Sequence, residues 1–335
     1  MSKNDIGIDL GTVNILIYQK KHGIVIQEPS VVAISKNTRE ILAIGNEARQ
    51  MLGKTPGDII ALRPMKDGVI AEYRITEAVL KHLVRRIIKG TLIKPNVVVC
   101  VPARLTGVEK RAVIETTLNA GARRVYLISE PIAAAIGAGI NIREPYGNIV
   151  IDIGGGTTDI AIISLGGIVV SDSIKTGGNR FDDAIIKYVK RKYKIIIGES
   201  TAENVKINIG KAYNVGEEKE MLIKGREMVS GLPYEVTVTS SEILEALQDS
   251  LEMLIVKIKG VLEKAPPELS ADIIDKGIVL TGGSSLLEGM DELIRNSTGV
   301  DVIRVDEPLI CVAKGAGLAL EDPELLERVS MSYAS

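Results

Sequence analysis

Residues 148–174 read NIVIDIGGGTTDIAIISLGGIVVSDSI, and this stretch decides the fold. Three apolar, β-branched runs follow one another and are separated by glycine turns, the pattern of three consecutive strands. Asp152 leads into the first turn, Gly154-Gly155-Gly156-Thr157-Thr158, and Gly167 lies in the second. The N-terminus repeats the design. Residues 5–10, 14–19 and 23–34 read as three strands, Asp9 leads into Gly11-Thr12, and Gly23 lies in the next turn. The two acids stand about one domain length apart. Unrelated glycine turns would account for the glycines, but not for the shared acid and the hairpin after it. The pattern predicts a duplicated domain, each half opening on strand, loop and strand.

A D-x-G-T turn between strands lets backbone N–H groups converge on an anion, because glycine has no Cβ to block close approach. Two such turns facing each other would hold the phosphates of one nucleotide between two domains. Asp9 and Asp152 would then hold a hydrated Mg²⁺, an ion that favours one or two carboxylates plus phosphate oxygens and water. A third glycine junction, GIVLTGGSSLL at 277–287, suits a base or ribose laid against bare backbone, although alone it is an ordinary tight turn. Glu203 and Lys206 stand at i and i+3, on one helix face. They suit a ribose and a base, or a plain surface ion pair.

Strand-like and helix-like runs alternate along the rest of the chain, which predicts an α/β architecture. Residues 75–89 have the spacing of an amphipathic helix with a basic outer face, and 96–103 is a strand ended by Pro102. Thr106 and Glu109 are spaced as a capping box, 125–129 is a strand, and Pro131 opens a helix. Helices are expected near 178–194 and 201–212, with a polar, charge-rich segment around 214–226. A long amphipathic helix ends at Pro266-Pro267, SLLEGMDELIRN reads as one helix, and 309–320 as a last apolar helix.

Lys and Arg total 41 against 43 Asp and Glu, a formal net charge of −2, and there is no Trp and one Phe. Such a chain lacks the basic excess of a nucleic-acid coat and the aromatic platforms that stack single strands, so no nucleic-acid partner is expected. Cys100 and Cys311 sit in apolar runs and read as buried thiols rather than a disulfide or zinc pair. MSKNDIGIDLG runs straight into a strand, and no apolar run reaches the length of a membrane span. The expectation is a cytoplasmic protein whose membrane contact is peripheral.

DLGTVN at 9–14, EP at 130–131, DIGGGTTD at 152–159 and TGG at 281–283 resemble the phosphate and adenosine motifs of the actin, DnaK-type chaperone and sugar kinase superfamily. IGIDLGT, QEPSVVAI, GKTPG, RPMKDGVIAEY, EPIAAAIGAG, IGESTAENVKINIG, GLPYEV and EKAPPELSADIIDKGIVLTGG are similar to one branch, the MreB family of bacterial actins, over about residues 5–320. The long irregular strings are far more specific than the glycine turns.

The resemblance implies an actin-like ATPase fold of two duplicated, ribonuclease H-like lobes around a central nucleotide cleft. Lobe I would span 1–141 plus 309–335, with an outer subdomain at about 31–75. Lobe II would span 142–308, with an outer subdomain at about 179–240. ATP or ADP with Mg²⁺ would be the cofactor. From the first loop the implied contacts are Asp9, Gly11, Thr12, Val13 and Asn14, and from the second Gly154, Gly155, Gly156, Thr157 and Thr158. The nucleoside would meet Glu203, Asn204, Val205 and Lys206 on one helix, and Gly282, Gly283, Ser284 and Ser285 on the third turn. Glu130 matches the acid that positions the attacking water, with Asp152 and Thr157 completing the catalytic set. Asp9 and Asp152 would hold the metal through water. Ser284 stands where many relatives carry a third glycine, and Ser129 stands where an acid commonly precedes the water-positioning Glu.

The same resemblance implies self-assembly into protofilaments, paired antiparallel, on the inner membrane face, and work with cell-wall elongation proteins. Leu92 and Ile93 lie side by side in the loop between Lys89 and Lys94, at the position where relatives lacking an N-terminal amphipathic helix, as this chain does, insert a hydrophobic pair into the bilayer. Folding of the pair back onto the core is the alternative. A small-molecule kinase or a DnaK-like chaperone are the competing functions. The chain shows no convincing second-substrate site, and nothing after residue 320 would form a peptide-binding domain.

Overall fold

The computed structural model describes residues 5–88 and 93–333. Two sheets of one plan carry the fold. In the six-stranded sheet Ile6–Leu10 pairs antiparallel with Asn14–Gln19, which pairs with Gly23–Pro29, while its other edge pairs parallel with Asn96–Val101 and then Arg124–Ser129. Met331–Tyr333 closes that side. In the five-stranded sheet Asn148–Ile153 pairs antiparallel with Thr158–Ser164 and Gly167–Ile174, and parallel with Ile278–Thr281 and then Val302–Arg304. The duplication holds at the level of register. Asp9 faces Leu16 on one side and Cys100 on the other, and Asp152 faces Asp159 and Thr281. Both acids therefore sit near the carboxyl end of a parallel pair, the end at which open α/β sheets bind ligands.

Helices Glu130–Gly137 and Cys311–Glu321 lie between the sheets. Val98 and Cys100 from one sheet join Val150, Ala161 and Ile163 from the other in a single apolar cluster with both helices. Glycine makes the helix crossing this close. A Cβ on Gly137 would lie 1.9 Å from the Cys311 carbonyl oxygen, and one on Gly315 would lie 1.8 Å from that of Ala133. Helices Gly178–Tyr193 and Ser240–Leu262 cover the second sheet, and Tyr73–Ile87 with Gly107–Asn119 cover the first. The expected capping box forms: the Thr106 N–H donates to Glu109 and the Glu109 N–H donates to the Thr106 hydroxyl. Both cysteines are buried.

Four local readings are corrected. The strand expected over 23–34 breaks after Pro29, and Val32–Ser35 enters a separate three-stranded sheet with Ile41–Ile44 and Ile59–Leu62. The break is a tight turn, with the Ser30 N–H donating to Val13 and the Val31 N–H to Pro29. The polar segment 214–226 is not all loop. Glu220–Glu227 pairs with Pro233–Thr239 and with Ile195–Ile196, and its charge is the solvated face of a strand that buries Ile223. SLLEGMDELIRN is two pieces, a 3₁₀ turn at Gly283–Leu286 and a helix at Met290–Thr298. Gly289 divides them at φ 76°, a left-handed conformation that interrupts a helix. The helix expected over 201–212 runs Glu199–Ile209, because Gly210 adopts extended backbone.

Candidate functional site

A cavity of about 660 Å³ opens between the two sheets, with Asp9 and Asp152 at its floor. The first loop, Gly11-Thr12-Val13-Asn14, forms one wall and Gly154–Thr157 the other. The loops touch. A Cβ on Gly155 would lie 2.1 Å from Val13 Cγ2, and one on Gly156 would lie 2.5 Å from the Thr12 hydroxyl, so only bare backbone fits at these two positions. The Gly154 N–H donates to the Thr157 carbonyl at 2.9 Å and closes the second loop on itself. Helix Gly178–Tyr193 begins directly against it, with the Gly178 and Asn179 N–H groups donating to the carbonyls of Gly154 and Gly155.

Asp9, Glu130 and Asp152 line the floor, and Asp159 lies fully buried beside Glu130; all four are held above the usual carboxylate range. Burial, with the charge of Asp152 beside it, pushes Asp9 up to about 7. Burial lifts Asp152 to about 6 against the opposing effect of the Thr281 hydroxyl, which donates to it at 2.7 Å. Asp159 is raised to about 6, again by burial, although the Ala103 N–H donates to it at 3.1 Å. Glu130 is pushed well above the usual carboxylate range by burial and then by Asp159, Asp9 and Asp152. Like charges this close cannot all ionise without a counter-charge. Among the described residues no cation is paired with any of the four.

Above the loops, helix Glu199–Ile209 lines the cavity with Glu203, Lys206, Ile207 and Asn208. Glu203 and Lys206 are not paired with each other. Glu203 meets Arg49 at 2.6 Å, while Lys206 pairs with Asp182 at 2.8 Å and donates to the Gly178 carbonyl at 3.0 Å. Lys206 thereby ties its helix to the one that starts at the second loop. Burial outweighs the neighbouring ammonium at Asp182 and lifts its carboxyl to about 6. Gly282, Gly283 and Ser284 also line the cavity. The Ser284 hydroxyl, expected beside a nucleoside, donates to the Gly154 carbonyl at 2.9 Å and so joins the third turn to the second loop.

The cavity wall gathers Asp9, Gly11 to Asn14, Glu130, Asp152, Gly154 to Thr157, Glu203, Lys206 and Gly282 to Ser284. Four expected residues lie off it. Thr158 is buried and donates to the Thr176 carbonyl at 2.7 Å. Val205 is in the core and Asn204 points to solvent, because 203 and 206 take the inward face of the helix. Ser285 is buried and donates to the Gly282 carbonyl at 2.6 Å. The sequence reading missed Asp182, whose partner Lys206 is distant in the chain, and Gly68, whose N–H donates to the Thr12 hydroxyl at 3.1 Å. It also missed Arg49 and Asn179. The glycine pair at 177–178 before an apolar helix was the available signal for Asn179. Of the membrane pair, Ile93 is 58% exposed, while Leu92 lies outside the described residues. Among the described residues no helix is long and apolar enough to cross a membrane.

Two sheets of one plan over paired glycine loops and facing carboxylates define an actin-like α/β protein. The family described as MreB/Mbl protein matches residues 3–328, and the chain belongs to it. It is 50% identical over 333 residues to the cell shape-determining protein Mbl of Bacillus subtilis (strain 168), covering 99% of this chain and all of that one. It is 50% identical over 327 residues to the cell shape-determining protein MreB of Escherichia coli (strain K12), covering 96% and 94%. MreB5 of Spiroplasma citri bound to ADP superposes with a TM-score of 0.91 at 39% identity, covering 97% of each chain. Its form bound to AMPPNP superposes with a TM-score of 0.91 at 40% identity, covering 95% and 96%.

Proposed function

We propose that this chain is an ATP-binding, ATP-hydrolysing bacterial actin homologue that assembles into membrane-associated filaments and organises cell-wall elongation and cell shape. One observation carries the reading: two glycine loops in contact above Asp9, Glu130 and Asp152, with Asp159 buried beside them, four carboxylates for which no paired cation is found among the described residues. Such a site calls for a bound cation and an anion for the loop N–H groups, which Mg²⁺ with a di- or triphosphate supplies together. Asp9 and Asp152 fit a hydrated ion held through water. Mg²⁺ would neutralise charge on the phosphates and on these acids alike.

In this reading Thr12, Val13, Asn14 and Gly154 to Thr157 hold the phosphates. Lys206, anchored by Asp182, and Glu203 face the nucleoside beside Gly282, Gly283 and Ser284. Glu203 is engaged by Arg49, so a ribose hydroxyl would share that carboxylate with it. Glu130 orients the attacking water. Phosphoryl transfer is mainly positioning and charge neutralisation, so one such group suffices. The lobes proposed at 1–141 plus 309–335 and at 142–308 are supported by Met331–Tyr333 pairing with Arg124–Ser129. The small sheets at 32–62 and 195–239 support the outer subdomains. Filament contacts, the inner membrane face and elongation partners belong to the same proposal, which draws on the cell shape-determining relatives and the nucleotide-bound MreB5 structures.

Glu130→Ala separates binding from chemistry. ATP affinity should stay within a few-fold, while turnover falls roughly 10²-fold, the scale for loss of a water-positioning group. Unchanged turnover would remove Glu130 from its role. Pelleting of the parent protein in Mg-ATP tests assembly. A chain that binds ATP and never pellets is a small-molecule kinase or chaperone-type ATPase instead.

A further inference from the structure

Helix Gly178–Tyr193 ends in a run of cations, and the structure sorts them into two groups. Lys192 turns toward the helix Ser240–Leu262, where it pairs with Glu242 at 2.5 Å. Lys187, Lys190, Arg191 and Lys194 line, with Met228, one shallow open depression of about 300 Å³. The helical spacing i, i+3, i+4 places Lys187, Lys190 and Arg191 on one side, and Lys194, the left-handed residue that ends the helix at φ 58°, lines the same depression. None of the four is ion-paired with a carboxylate among the described residues, although neighbouring cations are, Lys224 with Glu235 among them. Arg191 lies over the Tyr188 ring at 5.7 Å, a contact that leaves its N–H groups available.

The ordinary account of lysines at a helix C-terminus is attraction to the helix dipole. That effect fades within the last turn, and Lys187 stands further back than that. The Lys194 carbonyl is occupied by the Met228 N–H at 2.9 Å, so that end of the helix has a backbone donor already. The natural counter-ion would be Glu227, next to Met228. Its oxygens are spent instead on the N–H groups of Val229 and Ser230, at 2.9 and 2.6 Å. Four cations thus line a shallow depression whose wall holds no carboxylate: Glu227 is engaged by backbone, and Asp183, one turn before Lys187, forms no ion pair with that lysine.

We propose that this groove, between the C-terminal half of helix Gly178–Tyr193 and the turn after Glu220–Glu227, is a second anion site that takes a phosphate-bearing polyanion. Guanidinium and ammonium groups supply charge-assisted donors to phosphate oxygens, and a multiply charged ligand meets several at once. The site is distinct from the cleft between the sheets and does not depend on the function proposed for that cleft. The phosphates have two possible sources. One is a soluble polyphosphate. The other is a lipid headgroup layer, for which the adjoining turn offers Val229 at 92% and Leu232 at 64% exposure as apolar contacts.

The test uses the full chain with ADP at saturation, so that tripolyphosphate cannot report on the cleft. A variant carrying Lys187→Gln, Lys190→Gln, Arg191→Gln and Lys194→Gln is compared with a charge-matched control carrying Lys36→Gln, Arg39→Gln, Lys54→Gln and Lys66→Gln. Calorimetric titration with tripolyphosphate and co-sedimentation with phosphatidylglycerol or phosphatidylcholine vesicles are the two arms. Roughly fivefold loss per cation removed is expected in at least one arm, with the control unaffected. Binding should also weaken as salt rises. Loss of tripolyphosphate binding identifies a soluble ligand, and loss confined to phosphatidylglycerol vesicles identifies the lipid source. If variant and parent behave alike in both arms, or the parent binds neither probe, the site does not exist. Binding of polyglutamate but not of either phosphate probe would overturn it in favour of an acidic protein.

Discussion

Asp182 shows how much one buried carboxylate can reveal. It is 8% exposed, lies 2.8 Å from Lys206, and titrates at about 6 because burial outweighs the ion pair. The folded state therefore holds this proton more tightly than the unfolded chain, whose ordinary value is 3.8. Stability from this group is complete below that value and is lost as pH rises through about 6. Asp182→Asn removes the dependence. Relative to the parent, the variant should gain stability by up to about 2 kcal/mol between pH 4 and 6.5 and then stay level. Urea melts across that range measure it, and a difference independent of pH would show that Asp182 titrates normally. Lys206→Ala and Glu203→Ala should each raise the nucleotide Kd and leave turnover at saturating ATP intact, the mark of lost uniform binding. Loss of turnover with normal binding would take the helix Glu199–Ile209 away from the nucleoside.

Two glycines in helices make opposite predictions at the scale of packed elements. Gly315 abuts the backbone of the neighbouring helix, where an added Cβ would lie 1.8 Å from the Ala133 carbonyl oxygen. Backbone cannot yield as a side chain end can. Gly315→Ala should cost about 2–3 kcal/mol despite the better helix propensity of alanine. Gly260, in the helix Ser240–Leu262, has nothing within 4 Å of its would-be Cβ. Gly260→Ala should stabilise by up to about 1 kcal/mol. Chemical denaturation of the pair decides the matter, and equal effects would mean the helix crossing is looser than the distances state. The same crossing explains the apolar run at 309–320. Its small residues are there to bring two backbones together between the sheets.

Filaments turn weak single contacts into strong ones, and the membrane prediction belongs at that scale. Burying a Leu and an Ile side chain contributes about 3–6 kcal/mol per subunit, and each nearby cation adds on the order of 1 kcal/mol on an anionic surface. One subunit would bind only briefly, whereas a filament presenting many copies would stay. Leu92→Ser with Ile93→Ser should cut co-sedimentation with anionic vesicles by about tenfold or more, to no more than a basic groove alone supports, while ATP binding and assembly in solution continue. Vesicle binding equal to the parent would exclude the loop as the anchor.

Much of this molecule was legible in order along the chain. Asp9 and Asp152, their glycine turns and the hairpins after them announce the duplication, because β-branched alternation and glycine turns are local properties that no distant contact is needed to reveal. The capping box at Thr106 and Glu109 is legible for the same reason. Tertiary structure decided what depends on partners far apart in sequence. Asp182 meets Lys206, Gly68 reaches Thr12, and Arg49 crosses to Glu203, and no spacing rule links these residues. The strand Glu220–Glu227 was hidden because its solvated face carries charge, and Val205 left the cavity because helix phase, set by packing, chose 203 and 206 to face inward. Sequence by itself determined which residues form loops able to approach an anion. Only the tertiary structure decided that two such loops meet above Asp9, Glu130 and Asp152, because that meeting is made by two helices packed through glycine between sheets distant in the chain.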